Sequence, residues 1–177
     1  MLTLNHYWKQ KMKITKDMLR DWTACEDDHR WFLTRFPEGE GEYQAVLDAL
    51  VEDDRPSNAH WLMDNAGSDA SATLEIESIG DRKHLFVAGS LVVKGVISVC
   101  GWLRAGEGIK AGEGIEAGWG IEAGEGIEAG WGIEAGSGIK AGEDFGIFAG
   151  LHIRLSQWPV SARVTAKTKP SNLMGGA

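Results

Sequence analysis

Residues that could carry out catalysis or bind a metal are few in this 177-residue chain. Cys25 and His29 are four residues apart, which on a helix would place both on one face and supply half of a metal site. No second such pair lies near them, so we interpret Cys25 as a packed cysteine and His29 as a surface histidine. Cys25 also has no nearby base or oxyanion donor in the sequence, as a nucleophile would need.

The other candidates have structural explanations. The acidic triplets at 26–28 and 52–54 are typical of helix ends exposed to solvent, rather than of magnesium sites. The many G-x-G triplets precede no helix, so they are bends and not dinucleotide-binding loops. His84 and His152 flank a repeat that has almost no projecting loops to form a pocket. We therefore expect a protein that is not an enzyme and that has no metal site and no cofactor.

Charge limits the class of partner. The net charge is −8, with −6 over residues 103–150 and +4 over residues 151–177. An acidic chain without a basic face is not expected to bind nucleic acid directly. It is suited to a basic partner, including a protein that itself handles nucleic acid. Two distant cysteines, no apolar run approaching ~20 residues and no signal-peptide pattern at residues 1–19 favour a cytoplasmic protein that does not enter a membrane.

A six-residue repeat dominates the second half of the chain. Its clearest copies begin with Ile and carry Ala two positions later, and they start at Ile109, Ile115, Ile121, Ile127, Ile133 and Ile139. Degenerate copies precede them from Leu85, and two more follow a two-residue insertion near Asp144 and Phe145. Twelve hexads thus cover residues 85–158.

Each hexad predicts one short strand and one bend. Its first and third positions are apolar and its second is usually charged, which is the alternation of a strand with two different faces. The G-x-G that follows provides a bend, where glycine allows positive φ and close backbone approach. Three hexads would close a triangular coil of 18 residues, and stacked coils make a parallel β-helix around Ile and Ala. Its handedness remains open.

An 18-residue coil stacks residues of opposite charge on two of the three faces. Arg104, Glu122 and Lys140 form one column, and Lys110 with Glu128 forms another. Opposite charges in register favour the pairing of neighbouring strands.

The third face differs, because Glu116 and Glu134 stack below Ser98 with no cation between them. The corners beside them carry Glu113, Trp131, Trp119 and Ser137. We predict a partner-binding site formed by Glu113, Glu116, Trp119, Trp131 and Glu134, since exposed Trp is enriched at interaction hot spots. A secondary acidic column contains Glu107, Glu125 and Glu143. The alternative, that these glutamates only keep the solenoid soluble, remains open.

Residues 13–66 predict a helical domain. The expected helices run from a Thr15 cap through Ala24, from Asp27 to Arg35, over 43–53 after a hinge at EGEGE, and from Pro56. Residues 67–84 are a linker and leading strand. The fold class is therefore α+β, with the helical domain capping the N-terminal end of the β-helix. Residues 159–177 form a C-terminal cap or an oligomerisation tail, and we expect a homo-oligomer, a dimer through the C-terminal end.

The hexads over residues 85–158 resemble the repeats of bactofilin-type polymer-forming β-helices and, less closely, those of left-handed hexapeptide-repeat proteins. In hexapeptide acyltransferases the small residue usually precedes the aliphatic one, whereas Ile precedes Ala here. The stretch WFLTRFPEGEGEYQAVLDAL resembles the helical domains of phage and prophage accessory proteins.

These resemblances imply different functions. The phage resemblance implies an inhibitor that blocks the basic nucleic-acid-binding surface of a host defence or nuclease protein in a bacterial cell, and this is our leading hypothesis. The bactofilin resemblance implies a self-assembling scaffold. An acyltransferase, the third alternative, would depend on His84 or His152.

Overall fold

The fold is α+β, with a small helical region followed by a parallel β-solenoid of about four turns. The computed structural model describes residues 12–80 and 82–176. The expectation that the chain begins without a signal peptide rests largely on residues 1–11, outside the described residues. Within the described ranges, no helix is long and apolar enough to cross a membrane.

From residue 12 onward, where the structure describes the chain, the helical region contains four helices and one small antiparallel sheet. Thr15 caps the first helix, with its hydroxyl oxygen 3.3 Å from the Met18 amide that donates to it, and Pro56 begins the last. The first helix is shorter than predicted, since Thr23 adopts a φ of 59° just beyond it. The elements are β1 (Lys13–Thr15), α1 (Lys16–Asp21), α2 (Glu26–Arg35), β2 (Glu40–Glu42), α3 (Tyr43–Glu52) and α4 (Pro56–Ala66).

The EGEGE segment is not the hinge that the sequence predicts. Its residues 40–42 form β2, which pairs antiparallel with β1 so that Ile14 lies opposite Gly41. Gly41 lies against the ring of Phe36, where a Cβ atom would be 2.7 Å from a ring carbon. The segment is therefore a packed strand, and glycine provides the close approach.

The solenoid consists of three parallel sheets, each receiving one strand per coil. Its inward Ile and Ala side chains form one continuous core. The strands are β3 (Thr73–Ile76), β4 (Leu85–Val87), β5 (Ser90–Val93), β6 (Ile97–Val99), β7 (Leu103–Ala105), β8 (Ile109–Ala111), β9 (Ile115–Ala117), β10 (Ile121–Ala123), β11 (Ile127–Ala129), β12 (Ile133–Ala135), β13 (Ile139–Lys140), β14 (Ile147–Ala149), β15 (Val164–Thr165) and β16 (Leu173–Gly175).

The pairing register confirms the 18-residue coil. Ile121 pairs with Leu103 on the preceding coil and with Ile139 on the following one. The sheets extend beyond residues 85–158 at both ends, because β3 pairs with β5 and the tail contributes β15 and β16. The last predicted hexad, IRLSQW at 153–158, is not a strand. It contains a 3₁₀ turn (Leu155–Gln157) and leads into a short helix, α5 (Trp158–Ser161).

Close backbone approach, not positive φ, explains the glycines of the repeat. Among the described residues, the glycines with positive φ are Gly39, Gly67, Gly150 and Gly176, all outside the G-x-G bends. The first glycine of a bend lies against the preceding coil, and a Cβ at Gly124 would be 1.9 Å from the Gly106 carbonyl oxygen. The second varies: a Cβ at Gly108 would be 3.5 Å from the nearest such oxygen, whereas one at Gly120 would be 2.1 Å from a Trp102 ring carbon.

The helical region covers the edge of the solenoid at β4, the first strand of its sheet. The Gln44 side-chain amide, on α3, donates to the Phe86 carbonyl at 2.8 Å and accepts from the Ala88 amide at 2.9 Å. It thus supplies the two hydrogen bonds that another strand would make. Phe86 and Ala88 also belong to the core of the helical region, so the two parts share one interface.

Candidate protein-binding face

The outer face of the sheet containing β4, β7, β10 and β13 is occupied by internal contacts. Arg104 on β7 binds Asp64 of α4 at 2.5 Å, and its Nε lies 3.6 Å from a Glu122 carboxylate oxygen. Arg104 also donates to the His60 carbonyl at 3.2 Å. Contacts with the helical region and the alternating charges of the column thus occupy most of the charged groups on this face.

A second face, on the sheet containing β8 and β11, also pairs its charges. Lys110 lies opposite Glu128 in register, and their charged atoms are 3.2 Å apart. The next residue in this column is Phe148, which ends the run of charges. Charge alternation is thus followed by an apolar position near the C-terminal end.

The third face carries stacked glutamates, which we call the acidic strip: Glu116 and Glu134, with Glu113 at the adjoining corner. Glu116 pairs in register with Ser98 before it and with Glu134 after it. Both side chains are exposed, and neither forms an ion pair with any residue that the structure describes. This face therefore presents two stacked carboxylates that are not ion-paired within the described residues.

An open groove follows the acidic strip. Its lining includes Gly114 and Gly132, and Trp131 and Val96 supply apolar side chains to it. Arg163, from the segment leading into β15, also lines it. The sequence did not identify Val96 or Arg163 as part of this surface. Arg163 was missed because its segment lacks the hexad pattern, although the Ile133 amide donates to its carbonyl at 2.8 Å.

The two tryptophans beside the strip are not equivalent. Trp131 is 51% exposed and stacks above Glu113, whose carbonyl accepts from its amide at 3.1 Å. Trp119 is 43% exposed, and its ring packs against His84 at 5.1 Å and Trp102 at 6.2 Å. Trp119 is thus held by neighbouring rings, whereas Trp131 has no ring partner among the described residues.

The secondary acidic column is partly used by an internal contact. The Ser68 hydroxyl donates to Glu107, which links this corner to the segment after α4. Desolvation, followed by the neighbouring Glu107 carboxylate, raises the pKa of Glu125 above its ordinary value. Glu143 is exposed at the next coil. The column is therefore less available to a partner than the acidic strip.

The two histidines considered for acyl transfer occupy different corners. His84 is 1% exposed, and its Nδ1 accepts from the Trp102 amide at 3.0 Å. Burial, followed by Lys83, lowers its pKa, and its Nε2 lies 3.9 Å from an Asp54 oxygen. His152 is exposed, with Nδ1 2.9 Å from the Gly112 carbonyl oxygen. His84 thus has a packing role at the interface with the helical region.

The prediction that Cys25 is packed is wrong. Cys25 is exposed and precedes α2 as its N-cap, so it lies outside the helix that carries His29. Its thiol is 3.1 Å from an Asp28 oxygen. Among the described residues, no group of three His, Cys, Asp or Glu side chains is arranged to hold a metal ion.

The acidic triplets do more than solvate helix ends. Asp28 accepts from Asn58 at 2.6 Å and from Arg55 at 3.2 Å, which joins α2 to α4. Asp53 accepts from the Trp31 indole at 2.6 Å. These carboxylates therefore stabilise the packing of the helical region.

Comparison with known proteins finds a similarity for the first part of the chain alone. Residues 12–69 match the family model of the YdhT N-terminal domain, which covers the helical region and ends before β3. No curated protein and no solved structure matches the chain.

Proposed function

We propose that this chain is a non-enzymatic binding protein whose acidic strip docks onto a basic surface of another protein. The single observation that carries the proposal is the stacking of Glu116 on Glu134, exposed and without an ion-pair partner among the described residues. The proposed partner is a protein that otherwise uses this basic surface to hold nucleic acid.

The stacking of like charges supports a role beyond solubility. Glutamates directly opposite each other in a sheet disfavour strand pairing, by an amount on the order of 0.2–1 kcal/mol. The other two faces avoid this cost by alternating Arg or Lys with Glu in the same register. A surface that only needed to be soluble could have followed the same alternation. Retaining two stacked carboxylates is therefore consistent with a cation supplied by a partner.

Trp131 provides an apolar anchor beside the charges. Its exposed ring borders an open groove that Glu116 and Glu134 also line. Binding hot spots combine aromatic anchors with surrounding polar contacts, and a Lys or Arg side chain can lie over an indole ring. The arrangement suits Lys or Arg side chains that approach two carboxylates and one ring together.

The proposed partner class follows from charge. Carboxylates on successive coils repeat at the strand spacing of about 4.8 Å. Such a row can replace phosphates on a protein surface rich in Lys and Arg. A narrower hypothesis uses the same acidic strip and specifies the partner. In it, the chain is a phage-type inhibitor that acts on a host defence or nuclease protein in the bacterial cytoplasm.

Charge reversal on the strip tests the proposal. We expect Glu116→Lys with Glu134→Lys to reduce recovery of the partner at least tenfold in a low-salt pull-down from bacterial lysate, because it places cations against a basic surface. Glu26→Lys with Glu38→Lys makes the same change in net charge on the helical region and should leave recovery unchanged. Equal loss from both double variants would show that overall charge, not the strip, is responsible.

A neutral variant separates binding from folding. Glu116→Gln with Glu134→Gln removes the like-charge contact, so its melting temperature should equal or exceed that of the wild-type protein. It should nevertheless bind the partner more weakly. Unchanged recovery with this variant would contradict the proposal.

The alternative function, a self-assembling scaffold, has one observation in its favour. The last strand of each sheet has no further strand partner among the described residues. Growth into filaments would require both ends to be open, yet Gln44 occupies the edge of β4 at the other end. Light scattering over a concentration series distinguishes continued growth from a fixed size.

A further inference from the structure

Large exposed hydrophobic side chains are concentrated toward the C-terminal end of the solenoid. Four of the eight large exposed hydrophobic side chains among the described residues lie between 145 and 174. They are Phe145, Leu151, Val160 and Met174. At the same end β13, β15 and β16 are the last strands of their sheets, so their outer edges lack strand partners in the part of the chain that the structure describes.

Phe145, Phe148 and Met174 gather at one corner of this end, and we call them the terminal patch. Phe148 and Met174 both lie against Gly146, where a Cβ atom would be 2.7 Å from each. Phe145 precedes that glycine and lies over Gly142, where a Cβ would be 3.0 Å from its ring. Met174 is 71% exposed. The three side chains are therefore close in space, with Phe145 and Met174 exposed and Phe148 half-buried.

Charges of opposite sign flank the terminal patch. Glu143 and Asp144 directly precede Phe145, and Asn172 donates to the Glu143 carbonyl at 3.3 Å. Lys167 is on a neighbouring corner, where its amide donates to the Ser137 carbonyl at 2.8 Å, and Lys169 follows it. None of these four exposed charges forms an ion pair with a described residue.

We propose that a second copy of this chain covers the terminal patch and forms a closed end-to-end dimer. In an interface with two-fold symmetry, both copies use the same surface patch, and if residue i of one copy contacts residue j of the other, then j of the first contacts i of the second. The acidic pair at 143–144 of each copy can then contact the basic pair at 167 and 169 of the other, which gives two equivalent charge contacts. Burial of the apolar patch against its copy adds to these charge contacts.

The same geometry favours a closed dimer over a filament. A heterologous contact between the two ends of the solenoid would continue into a filament. At the N-terminal end, Gln44 occupies the outer edge of β4, so one of the three sheets is closed to pairing there. This inference is independent of the acidic strip, since it uses a different set of residues.

The test measures molar mass by sedimentation velocity or light scattering of the full chain over a hundredfold concentration range. We expect a constant mass of about twice 19.2 kDa. Met174→Glu should give the monomer at concentrations where the wild-type chain is dimeric, since it buries a charge in the patch. A wild-type monomer at every concentration, or a mass that keeps rising, would overturn the proposal.

A charge-swap pair keeps the test independent of folding defects. One variant carries Lys167→Glu with Lys169→Glu, and the other carries Glu143→Lys with Asp144→Lys. Each alone should be monomeric, because like charges then face each other at both contacts. Mixed in equal amounts, they should form a dimer, since every contact again joins opposite charges. Failure of the mixture to dimerise while the wild-type chain does would place the interface elsewhere.

Discussion

Replacement of Gly124 by Ala is expected to lower the free energy of unfolding of the solenoid by about 3 kcal/mol, as overpacking of a well-fitted site does. The added Cβ would lie 1.9 Å from the Gly106 carbonyl oxygen on the preceding coil. That oxygen belongs to backbone, so two coils must separate to accommodate one methyl group. Thermal unfolding followed by circular dichroism should show a melting temperature lower by roughly 10 °C.

Gly108→Ala is the matched control, since it adds the same methyl group to the same type of bend. There the Cβ would lie 3.5 Å from the nearest carbonyl oxygen, an ordinary contact. Its φ is not positive, so Ala should be tolerated and can even stabilise by restricting the unfolded chain. Equal destabilisation by both variants would contradict the close-approach explanation and indicate that backbone freedom matters at both positions.

Loss of the Gln44 side chain is expected to have the second large effect, about 3 kcal/mol, because it leaves two buried backbone groups without partners. The amide of Gln44 donates to the Phe86 carbonyl and accepts from the Ala88 amide. Only Gln and Asn carry a side-chain amide that donates through its nitrogen and accepts through its oxygen, and the Asn side chain is shorter by one methylene group. Gln44→Ala should therefore loosen the helical region from the first coil, with hydrogen exchange rising at Ala88.

The same substitution at an exposed glutamine provides the control. Gln157→Ala lies in the 3₁₀ turn before α5 and should change stability by less than about 0.5 kcal/mol. Gln44→Glu keeps an acceptor for Ala88 but places a carboxylate against the Phe86 carbonyl, so it should not restore stability. If Gln44→Ala left exchange at Ala88 unchanged, the helical region would not be protecting this strand edge.

The architecture of the solenoid could be predicted because its period specifies both strand position and pairing partner. A one-residue slip would turn Ile121 outward and Glu122 inward, so the pattern has only one stable register. The 18-residue coil follows from the same repeat together with the alternation of Arg104, Glu122 and Lys140. The local repeat thus determines which residues of neighbouring coils are in contact.

The ends of the solenoid could not be predicted in the same way. Val164 and Leu173 continue the core although their segments lack the hexad pattern, because a short terminal strand needs only one inward apolar residue to extend it. The pairing of β1 with β2 was missed because glycine and glutamate in EGEGE usually indicate a loop. The role of Gln44 depends on a contact with residues 42 and 44 positions away, which no local pattern reveals.

The candidate site was predicted as a set of positions but not as a set of contacts. Register alone places Glu116 beside Glu134, as the pairing shows. It does not distinguish Trp131 from Trp119, because the rings that hold Trp119 come from His84 and Trp102. Arg163 reaches the groove from a segment whose path depends on tertiary packing. Whether these residues bind a partner stays a prediction.

Site-specific photocrosslinking in bacterial cells tests the proposed binding face most directly. With p-benzoylphenylalanine at position 131, beside the acidic strip, irradiation should join the chain to one other protein. The same group at position 110, on another sheet, should give no such adduct, and Glu116→Lys with Glu134→Lys should remove the adduct at 131. Equal crosslinking at both positions, or an adduct at 131 of two copies of this chain, would contradict the proposed function.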